Sequence, residues 1–171
     1  MNKFNKLYKL IIEEIESSNK KESLISLIKC IKFTDNDLKL ILEGINLAAD
    51  ASNDSKWSMQ DLKKYLEVKP NIFFIKKGGA KIGVVFLSID GGYNEIGNFA
   101  IFKKYQGKGY GLQSLKVIID YLRKLHPGQD IEIGVAETNT KAINLYKNVG
   151  FKITKTGEEK SGRFYQMTLD A

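Results

Sequence analysis

Cysteine, histidine and tryptophan occur once each in this chain of 171 residues, and proline twice. The lone Cys30 excludes an internal disulfide and a thiolate cluster for zinc; it is read as apolar filler in a protein of a reducing compartment. The lone His126 stands before Pro127 and Gly128 with no second candidate ligand beside it, so it reads as a helix terminus and no metal site is expected. Long hydrophobic runs are lacking too. No apolar stretch reaches the roughly 18 residues of a membrane span, and the opening MNKFNKLYKLIIEEIESS follows its apolar patch with acids rather than a cleavage site. The expectation is a soluble, unexported, cytoplasmic protein without a membrane partner. Blocks of one charge sign are also missing. The net charge is +7, but lysines are spread along the chain among acids, the pattern of a solvated face rather than of a nucleic-acid footprint. A basic balance equally favours a polyphosphate ligand.

What is present suffices for one core: 43% of the residues are hydrophobic. Phe4, Leu7, Tyr8, Ile11 and Ile15 recur at helical spacing and predict an amphipathic helix, so residues 1–23 are expected to form a helical extension ahead of a domain spanning 24–171. SLISLIKCIKF satisfies both periods and is read as a strand. Thr34 with Asp37, and Ser58 with Asp61, have capping-box spacing. They introduce helices with Leu38, Ile41, Leu42 and Ile45, and then Leu62, Tyr65 and Leu66, inward; the second must end near Pro70. NIFFI and KIGVVFLSI around KKGGA predict a hairpin, and EIGNFAIF a third strand. A helix with Leu112, Leu115, Ile118, Ile119, Leu122 and Leu125 inward follows, then the strand DIEIGVAE, a helix from Thr140 to Asn148, and a closing antiparallel pair FKITK and FYQMTLD. The fold class is therefore α/β in composition (α+β), with a mixed, mainly antiparallel sheet flanked by helices; the irregular alternation argues against a doubly wound parallel sheet.

The stretch YQGKGYG lies between the third strand and its helix. A helix opens with about four backbone N–H groups that lack an internal partner, and a Ser, Thr, Asp or Asn side chain ordinarily accepts from one of them. None stands here. Gly107, Gly109 and Gly111 instead bare the backbone at the positive end of the helix dipole, which suits a phosphate; a tight turn whose donors face water is the alternative. The dinucleotide fingerprint does not fit, since the glycines alternate singly and sit late in the chain. A P-loop fails because Lys108 is followed by Gly109 rather than Ser or Thr.

Gln106, Gly109 and Gly111 fit the pattern Gln or Arg, any two residues, Gly, any residue, Gly or Ala, and so resemble the acetyl-CoA signature of the GCN5-related N-acetyltransferase (GNAT) family. NTKAINLYKNVGF resembles that family's second motif through Asn139, Ala142, Leu145, Tyr146, Gly150 and Phe151. Less specifically, the resemblance runs from about Lys29 to the end. It implies the acyl-CoA N-acyltransferase fold with acetyl-CoA as co-substrate. Phe99, Ala100 and Ile101 would lie beside the pantetheine arm, and Gln106, Gly107, Lys108, Gly109, Tyr110, Gly111 and Leu112 around the pyrophosphate. It further implies Tyr146 as proton donor to the departing thiolate and Glu95, or a water, as base toward the amine. The plain alternatives are a core tyrosine and a solvent-facing strand-end glutamate. Asn139 and Tyr146, seven positions apart, can face one ligand from the same helix, although Asn139 reads equally as an N-cap. Trp57 is expected in packing or in the acceptor pocket. Lys103 and Lys104 depart from the family's usual proline and acid.

The function expected from the resemblance is an acetyl-CoA-dependent N-acetyltransferase acting directly on a primary amine, either a small molecule or a peptide, with a homodimer open. The alternatives are a non-catalytic acyl-CoA-binding module and a basic nucleic-acid-binding protein.

Overall fold

The computed structural model describes residues 24–52, 54–68, 70–89, 91, 94–159 and 162–171; the expected N-terminal helix lies outside them. The elements in order are β1 (Ile25–Lys29), α1 (Asp35–Ser52), α2 (Met59–Leu66), β2 (Asn71–Lys77), β3 (Ala80–Ser88), β4 (Glu95–Ile101), a short 3-10 turn (Lys103–Tyr105), α3 (Tyr110–Leu125), β5 (Ile131–Ala136), α4 (Thr140–Lys147), β6 (Lys152–Glu159) and β7 (Gly162–Leu169). The seven strands form one sheet in the order β1-β2-β3-β4-β5-β7-β6. Every neighbouring pair is antiparallel except β4 and β5. The mixed, mainly antiparallel sheet is thus as expected.

Both faces are covered, which explains why NIFFI is apolar without alternation. Ile72 and Phe74 pack with Val84 and Phe86 against Ile41 and Ile45 of α1 and Leu62 of α2. Phe73 and Ile75, pointing the other way, join Val85, Leu87 and Ile96 under Leu115, Ile118 and Leu122 of α3 and Ile143 of α4. Among the described residues, no helix is long and apolar enough to cross a membrane.

The caps follow from the sequence. Thr34 Oγ1 accepts from the Asp37 N–H (3.2 Å) while the Asp37 carboxylate accepts from the Thr34 N–H (3.1 Å). Ser58 and Asp61 repeat the exchange at 3.2 and 2.8 Å. Asp37 also receives the Lys81 ammonium from β3. Desolvation pushes its carboxyl up, but hydrogen bonds from Lys81 and Thr34 and the lysine charge outweigh it and hold the group below its ordinary value. Cys30 is half-buried at the edge of the α1–α2 core, and burial pushes its thiol up to about 11, so it stays an inert thiol at neutral pH. His126 caps α3 through its N–H to the Leu122 carbonyl (2.9 Å), with its Nδ1 2.8 Å from Asn94 Oδ1.

Candidate active site

The site begins with a register slip. Val85 faces Phe99 and Leu87 faces Ile96, so two steps along β3 match three along β4. The extra residue, in the Gly97–Asn98 region, bends β4 as a bulge does. On its other edge β4 pairs with β5 only at Glu95 with Glu132 and Ile96 with Ile133. Beyond that point the strands part, and a cleft of about 1130 Å³ opens between Gly97–Ile101 and the 134–136 end of β5. Splaying two parallel strands leaves their facing N–H and C=O groups without a ladder partner, which provides an edge for an extended ligand.

At the far end of β4 the cleft reaches the start of α3. Gly109 is the N-cap, at φ +75°, and no side chain caps the helix. Gly107 is also left-handed, at φ +74°. Both values fall where only glycine sits without strain. The Gln113 N–H closes the first helical turn on the Gly109 carbonyl (3.3 Å), and the backbone ahead of it, at Gly107, Gly109, Tyr110, Gly111 and Leu112, lines the cleft. A Cβ added at Gly107 would meet nothing within 4 Å, so the space beside this backbone is open for a ligand. Gln106 fixes the turn: its Nε2 donates to the Ile101 carbonyl (2.8 Å), tying the glycine loop to the end of β4. These residues suit a diphosphate held by backbone donors.

Glu95 opens β4 at the other end of the cleft, half-buried, and lines it. Tyr146 projects from α4 into the same lining and is only 6% exposed, its ring 6.0 Å from that of Phe151. Burial pushes the phenol up to about 12, so the hydroxyl stays protonated at neutral pH. Asn139 is the N-cap of α4, its Oδ1 accepting from the Ala142 N–H (3.1 Å), and it also lines the cleft. Its oxygen is committed to the cap, which leaves the amide N–H groups as what it can offer a ligand.

Of the residues singled out from the sequence, Glu95, Phe99, Ala100, Ile101, Gln106, Gly107, Gly109, Tyr110, Gly111, Leu112, Asn139 and Tyr146 all line this one cleft. Lys108 does not: its side chain is exposed outside the lining, as a left-handed residue on either side turns it outward. Trp57 is also outside the lining, packed edge-on against Tyr65 with ring centroids 5.2 Å apart. Sequence reasoning missed Asp50 near the end of α1 and Asp54 just beyond it, as well as Lys141, Glu159, Arg163, Phe164 and Gln166, which also line the cleft. They come from elements remote in the chain, and no local pattern marks them.

A sequence profile of the Acetyltransferase (GNAT) family matches residues 42–151. Over 54 residues the chain is 43% identical to a probable spermine N(1)-acetyltransferase of Bacillus subtilis subsp. natto (strain BEST195), a stretch covering 32% of this chain and 36% of that protein. With an N-alpha-acetyltransferase of Sulfurisphaera tokodaii it shares 22% identity over 131 residues, 70% of this chain and 77% of the relative. The chain thus spans little more than a third, 36%, of the length of the spermine and spermidine acetyltransferases it matches. Among solved structures, spermidine N-acetyltransferase from Vibrio cholerae in complex with CoA and spermine superposes with a TM-score of 0.71 at 20% identity, over 85% of this chain and 95% of that one. The ribosomal-protein-S18-alanine N-acetyltransferase from Escherichia coli gives 0.65 at 21% identity, over 86% and 94%. At these identities the likeness is one of fold.

Proposed function

The chain belongs to the GNAT acetyltransferase family, and from that premise we propose that it transfers an acetyl group directly from acetyl-CoA to a primary amine while both substrates are bound. The observation that carries this reading is the single cleft that joins the uncapped amides at the start of α3, the open edge of β4, Glu95 and Tyr146. Its volume of about 1130 Å³ exceeds that of most single-ligand pockets, roughly 300–1,000 Å³, and leaves room for two substrates.

The bound acetyl-CoA supplies the activated thioester; the protein supplies placement and proton traffic. The amides from Gly107 to Leu112 hold the pyrophosphate, and the edge of β4 from Phe99 to Ile101 guides the pantetheine arm. An amine of pKa near 10 arrives as an ammonium and must lose a proton before it can attack. Glu95 takes that proton directly or through a water, freeing the nitrogen lone pair for the thioester carbon. The carbon–nitrogen bond forms and, as the carbon–sulfur bond breaks, the Tyr146 hydroxyl donates its proton to the sulfur; the second proton leaving the nitrogen restores the phenol, Glu95 passes its proton to solvent, and the amide product and free thiol leave. The phenol is neutral at pH 7 and so holds a proton to give.

The acceptor we favour is a polyamine. Asp50, Asp54, Glu95 and Glu159 put four carboxylates in the lining against the two cations Lys141 and Arg163, and Lys56 pairs with Asp50 at 3.0 Å, so the lining keeps a small acidic excess opposite in sign to the +7 of the whole chain. The relatives named for spermine and spermidine agree with it. The test is release of free thiol from acetyl-CoA with spermine and spermidine, compared with amino-acid and peptide amines. Tyr146→Phe should lower kcat on the order of a hundredfold with coenzyme A affinity retained. Unchanged turnover would overturn the acid role, and coenzyme binding without transfer to any amine would leave an acyl-CoA holder in place of an enzyme.

A further inference from the structure

Gly134 lies within β5, where a glycine weakens the strand and marks either a bulge or a close approach of another backbone or a ligand. No bulge is present, since the register of β5 with β7 runs unbroken from Ile131 opposite Leu169 to Ala136 opposite Phe164. Backbone geometry does not demand glycine either, because Gly134 is not among the residues of positive φ. Nor does packing require it. A Cβ at Gly44 would come within 2.2 Å of Val84, at Gly83 within 2.4 Å of the Ala100 carbonyl oxygen, and at Gly157 within 2.4 Å of the Phe164 ring, so those three glycines serve the fold. Among the described residues, a Cβ at Gly134 would meet only Gln166 Oε1, at the ordinary contact distance of 3.9 Å. Gly134 lines the cleft, and so does Gln166, its register partner on β7.

The alternation of β5 decides which way this bare position looks. Ile131, Ile133 and Val135 join the core under α3 and α4, so Glu132, Gly134 and Ala136 face the other side of the sheet, the one covered by α1 and α2. Glu95 faces that side too, since its neighbour Ile96 joins the α3 core and Glu132 is its partner across the seam. Gln166 is turned by the same row: its Nε2 donates to the Glu132 carboxylate (3.2 Å), which leaves Oε1 directed to the place a Gly134 side chain would fill. The result is a gap floored by backbone and edged by a carbonyl oxygen. It opens where β4 and β5 part, just past the pairing of Ile96 with Ile133.

We propose that Gly134 determines acceptor specificity: the carbon that carries the reacting nitrogen lies against its bare backbone, beside Gln166 Oε1, and the missing side chain sets how much bulk fits next to that nitrogen. The role rests on the amine-transferase reading above. A methyl group here would take room from the acceptor, on the Glu95 side of the sheet, and leave the glycine loop at the start of α3 untouched.

The test compares wild type with Gly134→Ala and Gly134→Val, using spermine as acceptor. One added methyl group in a fitted site should lower kcat/KM for spermine about tenfold, and valine should lower it further. The KM for acetyl-CoA should stay at the wild-type value, and the thermal midpoint of the alanine variant should hold or rise, because alanine loses less backbone freedom on folding than glycine. A spermine kcat/KM equal to wild type in both variants would overturn the proposal. So would a matching rise in the KM for acetyl-CoA, which would put the coenzyme over Gly134, or a lower midpoint for Gly134→Ala, which would make the glycine part of the fold. If the wild-type protein acetylates no amine, the transferase reading itself fails and this role falls with it, an outcome visible before any variant is made.

Discussion

Ser114 carries a fully buried hydroxyl on α3 that has no hydrogen-bond partner among the described residues. A buried polar group left unpaired is destabilising, and serine is also a weaker helix former than alanine. Ser114→Ala should therefore raise the unfolding free energy, by about 1 kcal/mol, with the urea midpoint as the measurement. A loss of stability would mean that the hydroxyl is satisfied after all. Residues of this kind are invisible in the sequence, where Ser114 is simply one polar position in an amphipathic helix. Tyr146 and Glu95 were singled out through the family resemblance, and the structure adds that both line one cleft and that the phenol is buried. Tyr65 was legible only as a core residue of α2. The β3–β4 register puts Phe86, on which its ring stacks, on the same sheet face as Glu95, a juxtaposition that no local pattern connects.

At the scale of elements, the loop between β4 and α3 separates a backbone role from a ligand role. Gly109 and Gly128 have nearly the same left-handed geometry, φ +75° and +78°, and neither would give an added Cβ a tight contact. Alanine at either position should lower stability by about 1 kcal/mol through backbone strain alone. Only Gly109→Ala should also raise the KM for acetyl-CoA, because only Gly109 lines the cleft. Steady-state kinetics and denaturation of both variants check the pair; equal kinetic effects would remove the glycine loop from coenzyme binding. The uncapped helix start, both capping boxes and the hairpin could be read directly, since each is encoded within a few adjacent residues. β1 was ambiguous because five residues cannot distinguish the two periods, and its assignment as a strand is settled by its antiparallel pairing with β2. The splay of β4 from β5 left no trace in either strand's own sequence, because it arises from the pairing of β4 with β3.

For the molecule as a whole, a ligand lying between β4 and β5 is expected to stabilise the fold. Coenzyme A at a hundred times its Kd should add about 2.7 kcal/mol, which in a domain of this size raises Tm by roughly 5–10 °C. A thermal unfolding series against coenzyme A measures it, and an unmoved midpoint at saturating concentrations would argue against the cleft as the coenzyme site. The seam between β4 and β5 also has a mechanical meaning. It is joined by two residue pairs, whereas every other seam of the sheet has five or more. Under a pulling force applied to the two outer strands, the sheet would tear first along this line, and a molecule threaded through the gap would act as the stitch that closes it.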